Sequence, residues 1–278
     1  MKRFKQSKNY PAGFSPEQII HCQALLAAMP CPVRLQWNDQ EVFACFDGWW
    51  LTSEFSPVLH DAHDTCRLSH HAARLRIHGQ FGQSLPADWL FAMNYAEHKT
   101  LALLKLIRVL HLLNHLGRNG TEAALRIDLD PRICNAHSER IVDFTVALLL
   151  QLGMTPEQVR FLLFIDHRSS AAGKTLVARY REHHHRVGLG GFGEGEDDLQ
   201  RLWQWEPDDV VLSPRYTRRA IMYPQVRDQL VTLMPQLVEQ GFALGVEDIM
   251  CGNLLGIARQ MQARYLAGSF VSTLMSAV

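Results

Sequence analysis

The sequence has no excess charge of either sign, no C-x-x-C pair and no long uninterrupted apolar run. Its 28 basic residues equal its 28 acidic residues, so no overall field attracts nucleic acid or an anionic membrane. The six cysteines lack paired metal-ligand spacing, which predicts free thiols in a reducing compartment. The amino terminus lacks the apolar segment of a signal peptide. Apolar runs such as LALLKLIRVLHLL are too interrupted to span a bilayer. We expect a cytoplasmic protein that binds neither membrane nor nucleic acid.

The sequence does contain a regular alternation of short β-like segments and helical segments. With 47% hydrophobic residues in 278, it is globular. Segments such as ALRIDL, RFLLFI, DVVLS and FALGV are mostly separated by helical stretches, an order typical of βαβ units and a parallel sheet. About seven repeats favour a closed (β/α)₈ barrel of the TIM type in the α/β class. Because no linker divides them, we assign residues 55–278 to one barrel domain.

Residues 1–54 are predicted to form an N-terminal extension of arm, helix and hairpin. Ser15 followed by Pro16 is typical of a helix start, and Asn38-Asp39 lies between two β-rich segments. The helix carries one apolar stripe, composed of Ile19, Cys22, Leu25, Leu26 and Met29. The stripe packs on the barrel's helices or forms a surface that selects a partner. We expect deletion of residues 1–30 to leave a folded barrel in which partner binding or self-association is weaker.

Glycines in the spacing G-x-G-x-x-G, at Gly188, Gly190 and Gly193, are the pattern of a dinucleotide-binding turn. Such a turn requires a strand before the glycines and a helix that opens on the third. Only a short strand precedes them here, and four acidic residues that begin with Glu194 follow and would repel a pyrophosphate. The glycines therefore need another explanation.

The stretch from Phe192, FGEGEDDLQRLWQWEPDDVVLSPRY, resembles the EAL-domain signature DDFGTGYSSLxxLxxLPxDxxKxDxxF without a gap. Ala-Ala-Arg-Leu-Arg at residues 72–76 lies where E-A-L-L-R is expected, and Arg-Ile-Asp-Leu-Asp at residues 126–130 resembles the strand with N-x-S. GFALGVED at residues 241–248 resembles the A-E-G-V-E strand. In order and spacing, the sequence from Phe55 to Val278 is similar to a degenerate member of the EAL family, whose members are cyclic-di-GMP phosphodiesterases.

The resemblance implies a (β/α)₈-like barrel whose first strand is antiparallel, and a hydrolysis that uses two metal ions held by carboxylates and an amide oxygen. Most of the family's ligand and general-base positions carry other residues here. These are Ala72, Asp128, Leu162 (with Asp166 as the nearest substitute), Gly190, Gly191, Val211, Ser213, Leu244 and Ala263. Because the metal ligands are replaced, we expect a protein that is not an enzyme and needs neither metal nor cofactor. Arg76, Asp128 and Glu247 are the remnants of a ligand site.

The function that this resemblance implies is regulatory. We expect a catalytically inactive protein that binds another protein in a bacterial circuit for motility, adhesion or biofilm control, with a homodimer left open. The alternative is a receptor that binds cyclic di-GMP or another phosphate through Arg76 without hydrolysis. Asp128 and Glu247 disfavour it, because two carboxylates without metals repel a dinucleotide.

A third class of function would be zinc chemistry. His60, His63 and Cys66, with His70 or His71, offer nitrogen and sulfur ligands close together in sequence. Their spacing matches no standard zinc motif, and the resemblance places them in the polar turn between the first two strands. A solvated hairpin is the simpler interpretation.

Overall fold

The computed structural model describes residue 4 and residues 6–62, 65–93, 95–120, 122–129, 138–164, 170–195 and 198–275. Its strands are β1 (Leu35–Trp37), β2 (Val42–Phe46), β3 (Trp49–Asp61), β4 (Cys66–His78), β5 (Ser84–Leu85), β6 (Ala124–Leu129), β7 (Val159–Phe164), β8 (Arg186–Phe192), β9 (Asp209–Leu212), β10 (Ala243–Val246) and β11 (Tyr265–Ala267). Its helices are α1 (Pro16–Ala27), α2 (Ala87–Ala92), α3 (Glu97–Asn119), α4 (Ser138–Gln151), α5 (Ser170–Glu182), α6 (Asp198–Trp205), α7 (Pro214–Met222), α8 (Pro224–Glu239), α9 (Gly252–Gln260) and α10 (Ser269–Met275).

The chain divides into two compact units. The first consists of residues 1–55, 73–125 and 136–158, and the second of residues 56–72, 126–135 and 159–278. The predicted domain boundary between residues 54 and 55 stays a prediction.

The second unit contains a closed barrel, to which eight of the described strands contribute, three of them (β3, β4 and β6) only in part. Their order is β3-β11-β10-β9-β8-β7-β6-β4, and β4 pairs with β3 to close the ring. The pairs from β7 to β11 are parallel, whereas β3 is antiparallel to β11. Apolar segments such as VRFLLF are buried along almost their whole length, as expected for parallel strands covered on both faces. The predicted fold class is therefore confirmed, including the antiparallel first strand.

The first unit contains the predicted N-terminal helix and hairpin. The Ser15 hydroxyl accepts a hydrogen bond from the Gln18 N–H at 3.4 Å, which caps α1. The Asn38 side-chain oxygen accepts from the N–H groups of Gln40 and Glu41 at 2.8 and 2.9 Å, which fixes the turn between the antiparallel strands β1 and β2. These local side-chain bonds explain why sequence alone located both elements.

The apolar stripe of α1 is buried within the first unit. Ile19, Cys22 and Leu26 are at most 1% exposed, and α1 packs against α3. Of the two predicted roles for the stripe, packing is the one observed.

Among the described residues, none of the helices combines the length and the apolar content that crossing a membrane requires.

Candidate functional site

Two carboxylates and one arginine meet inside the barrel of the second unit. Arg126 and Asp128 lie two residues apart on β6, and therefore on the same face of the strand, while Glu247 directly follows β10. The Arg126 Nε donates to Asp128 Oδ1 at 2.9 Å, and its Nη1 forms an ion pair with Glu247 Oε1 at 2.6 Å. The structure thus brings two predicted site residues together through a third that the sequence analysis did not select.

The guanidinium of Arg126 is almost fully buried, with 3% of its side chain exposed. Burial by itself lowers the pKa of this group, but the negative charges of Asp128 and Glu247 outweigh that effect and raise the pKa above its usual value. The arginine is therefore charged at neutral pH, and it neutralises part of the charge of the two carboxylates.

A second polar group lies in the same barrel. Arg160 on β7 donates from Nη1 to His70 Nδ1 on β4 at 3.4 Å. Its guanidinium lies 5.2 Å from the centre of the Tyr265 ring, and the His70 ring packs edge-on against the same tyrosine. Asp209, at the start of β9, is also buried. The interior of this barrel is therefore charged as well as apolar.

The protonation states of this second group follow from its burial. Burial, followed by the positive charges of Arg160, Arg126 and His71, lowers the pKa of His70 to about 2. Burial also raises the pKa of Asp209, although the two arginines oppose the shift. His70 is thus neutral, and its Nδ1 accepts from Arg160 because an arginine can only donate.

The glycines of the G-x-G-x-x-G pattern are explained by this barrel. Gly188 and Gly190 lie in β8, and a Cβ at Gly188 would lie 2.6 Å from an Asp209 carboxylate oxygen. A Cβ at Gly190 would lie 3.1 Å from the Leu162 side chain. Gly193 has φ of 100°, a backbone conformation that favours glycine. The lack of a side chain at Gly188 and Gly190 thus leaves room for residues of the neighbouring strands β9 and β7.

Most of the positions that the resemblance assigns to metal ligands are buried and apolar. Ala72 packs in a cluster with Val58, Tyr265 and Ala267. Val211 pairs with Gly190 on one side, and on the other with Gly245, whose Cβ would touch the Val211 side chain. These positions thus make packing contacts with neighbouring strands, while the substitute Asp166 lies outside the described residues.

The remaining predicted site residues are not joined to this group by the structure. Arg76 belongs to the first unit, where its Nε lies 3.9 Å from Glu54 Oε2 and its side chain is half-buried, so its predicted role in phosphate binding stays a prediction. Among the candidate zinc ligands, His60 accepts from Arg264 Nε at 3.1 Å and Cys66 donates to Asp61 Oδ1 at 3.4 Å. His63 lies outside the described residues, so the zinc hypothesis also stays untested.

A closed barrel of eight strands with an antiparallel first strand and charged residues in its interior defines a TIM-like α/β barrel protein. Residues 46–273 match the EAL domain family, and the chain belongs to that family. The resemblance inferred from the sequence is therefore confirmed. No curated protein matches the chain.

Solved EAL structures share the fold. A complex of Klebsiella pneumoniae BlrP1 with calcium and cyclic di-GMP is 17% identical, with a TM-score of 0.66 over 79% of this chain and 54% of BlrP1. The FimX EAL domain of Pseudomonas aeruginosa, bound to cyclic di-GMP, is 18% identical, with a TM-score of 0.60 over 78% of this chain and 88% of FimX. The PaMucR phosphodiesterase, in complex with cyclic di-GMP, is 15% identical, with a TM-score of 0.63 over 78% of this chain and 89% of PaMucR. This chain thus spans about half the length of BlrP1.

The prediction that this chain is not an enzyme is wrong. The chain belongs to the EAL family, and its structural neighbours include Bd1971, described as an EAL enzyme, and the PaMucR phosphodiesterase, so the family points to an enzyme. The prediction counted oxygen ligands only at the motif positions of the family. It overlooked the charged groups Arg126, Arg160 and Asp209, which the structure places inside the same barrel.

The calcium and manganese of the BlrP1 complexes raise the question of whether a divalent ion fits here. Asp128 and Glu247 both contact Arg126, and Ala72, Leu162 and Val211 bring no oxygen side chain to the site. Over the whole described part of the chain, no group of three His, Cys, Asp or Glu side chains is placed to hold a metal. The residues that the structure describes at this site therefore do not fit a divalent ion.

The residues that sequence reasoning missed are Arg126, Arg160 and Asp209, and it named His70 only as a possible zinc ligand. One signal could have found Arg126, because strand alternation places it on the same face as Asp128. Charged residues within otherwise apolar strands, as in VRFLLF and DVVL, were a second signal that the barrel interior is polar.

Proposed function

We propose that this chain acts in cyclic-di-GMP signalling by binding a protein partner in a circuit for motility, adhesion or biofilm control. The observation that carries this proposal is a surface at the junction of α7 and α8, formed by Ile221, Met222 and Tyr223 and called here the junction surface. These three consecutive side chains are exposed, Met222 by 64%. Exposed apolar side chains that adjoin one another are typical of an interaction site.

The surroundings of the junction surface support a protein as the partner. A groove of about 760 Å³, lined in part by Tyr216, Leu230 and Leu233, lies on α8. The Arg219 guanidinium lies 5.8 Å from the centre of the Tyr216 ring. Tyrosine, methionine and arginine are the residue types that protein interfaces favour. A nucleic acid would require a concentration of basic charge that the balanced composition of the chain does not suggest.

Co-purification of the native protein, followed by mass spectrometry, tests this proposal with two matched variants. Met222→Asp places a charge within the junction surface, whereas Met250→Asp places one at another exposed methionine of the same unit. We expect Met222→Asp to lose a partner that wild type and Met250→Asp both retain. Retention by both variants, or loss by both, would contradict the proposed surface.

Membership of the EAL family supports a second candidate function, the hydrolysis of cyclic di-GMP. Incubation of the purified chain with cyclic di-GMP and magnesium or manganese, followed by chromatography of the products, tests it. Linear product formed in proportion to enzyme concentration would establish this activity. If product is absent, titration calorimetry with wild type and Arg76→Ala measures whether the ligand still binds and whether Arg76 contributes.

A further inference from the structure

Asp128 and Glu247 approach each other from opposite walls of the barrel. In the ring of eight strands, β6 and β10 are separated by three strands in one direction and by β4, β3 and β11 in the other. A single guanidinium, that of Arg126, contacts both carboxylates, at 2.9 and 2.6 Å. Arg126 therefore spans the interior of the second unit.

Two carboxylates that approach each other inside the barrel require a positive charge nearby. The Glu247 side chain is only 12% exposed and that of Asp128 30%, so water screens their repulsion poorly. A bound divalent ion is one source of positive charge, as the calcium and manganese complexes of BlrP1 illustrate. The described residues at this site do not fit such an ion, but they supply a covalently attached cation that contacts the same two side chains.

We infer that Arg126 is a built-in counter-cation that takes the place of a divalent ion between Asp128 and Glu247. This inference makes predictions about the stability of the barrel and about its binding of metal ions. The barrel holds its two carboxylates without metal, and removal of the guanidinium creates a pair of oxygen ligands that responds to one. Manganese is the appropriate probe, because carboxylate oxygens suit it. This inference is independent of the junction surface, since its test involves no partner.

The test is thermal unfolding of the full chain with EDTA or with millimolar manganese. We expect the midpoint of wild type to be the same under both conditions. Arg126→Met should lower the midpoint in EDTA by roughly 6–20 °C, since it removes the guanidinium that contacts both of these largely buried carboxylates. Manganese should restore part of that loss. Arg126→Lys, which keeps a cation, should remain indifferent to manganese.

Two further variants separate this role from a general effect on packing. Arg160→Met removes a second buried arginine of the same barrel, so it should lower the midpoint without creating a response to manganese. Asp128→Asn with Glu247→Gln in the Arg126→Met background should abolish the response.

A wild type stabilised by manganese would overturn the inference, as would an Arg126→Met protein that gains nothing from the ion. Should Arg126→Met fail to fold in EDTA, soluble expression recovered by the Asn and Gln replacements would support the inference, and failure of that recovery would contradict it.

Discussion

Leu26→Ala measures how far the N-terminal helix α1 contributes to the core of the first unit. The Leu26 side chain is fully buried, and α1 is held by further contacts at its polar face. Gln23 donates to the Val33 carbonyl at 3.1 Å and accepts from the Leu35 N–H at 2.6 Å, while Gln18 donates to the Leu152 carbonyl at 3.1 Å. Because these bonds limit how far the helix can shift to fill a cavity, the truncation should cost close to the full range for a buried leucine, about 2–5 kcal/mol.

Ile20→Ala is the matched control, because Ile20 lies on the same helix and is 58% exposed. We expect it to change the free energy of unfolding by less than about 0.5 kcal/mol. Urea unfolding of wild type and both variants, followed by circular dichroism, gives the comparison. Equal and small losses in both variants would refute the assignment of α1 to the core. The burial of α1 in the core also predicts that deletion of residues 1–30 destabilises the first unit. This differs from the expectation from the sequence, in which the deletion weakens partner binding and leaves the fold intact.

Two other predictions concern buried groups. Burial lowers the pKa of His111, which hydrogen-bonds to the Ser53 hydroxyl at 2.8 Å, to about 3, whereas an unfolded histidine has a pKa near 6.5. Between these two pKa values, His111 is protonated in the unfolded state and neutral in the folded state. The free energy of unfolding should therefore fall by up to about 1.4 kcal/mol per pH unit as the pH drops from about 6.5 towards 3. Urea unfolding at several pH values should give a shallower slope for His111→Asn, and an unchanged slope would contradict the shift. Gly188→Ala places a Cβ against the Asp209 carboxylate and should lower the free energy of unfolding by about 1–3 kcal/mol. Gly256→Ala in α9, with nothing within 4 Å of the new Cβ, should leave it unchanged or raise it when measured by the same urea unfolding.

Local signals made much of the fold predictable. The cap at Ser15 and the turn at Asn38 depend on side chains that bond to backbone a few residues away. The predicted strand segments ALRIDL, RFLLFI, DVVLS and FALGV correspond to β6, β7, β9 and β10. Their apolar runs are short, and polar or glycine residues lie at their ends, which made them recognisable as strands. The closed barrel followed from the number of alternating repeats rather than from any single segment.

The candidate site was less predictable, because its contacts join residues far apart in sequence. Strand alternation relates Arg126 to Asp128, but nothing in the sequence shows that Glu247 comes from the opposite wall to the same guanidinium. Similarly, the sequence predicts a solvated hairpin from His60 to His71. Strands β3 and β4 do pair, but His70 on β4 lies inside the barrel, where burial and the charge of Arg160 determine its protonation.

The antiparallel pairing of β3 with β11 sets the order in which the barrel can be completed during translation. Leu59 lies opposite Leu266, so the ribosome must synthesise some two hundred further residues before β3 meets this partner. Until then the nascent barrel is an open sheet, and the unpaired edges of β3 and β10 can bind other chains. Contacts this distant in sequence also slow folding. We therefore expect the edges of β3 and β10 to be the sites of the barrel most prone to aggregation until β11, its shortest parallel strand, is available to cover them.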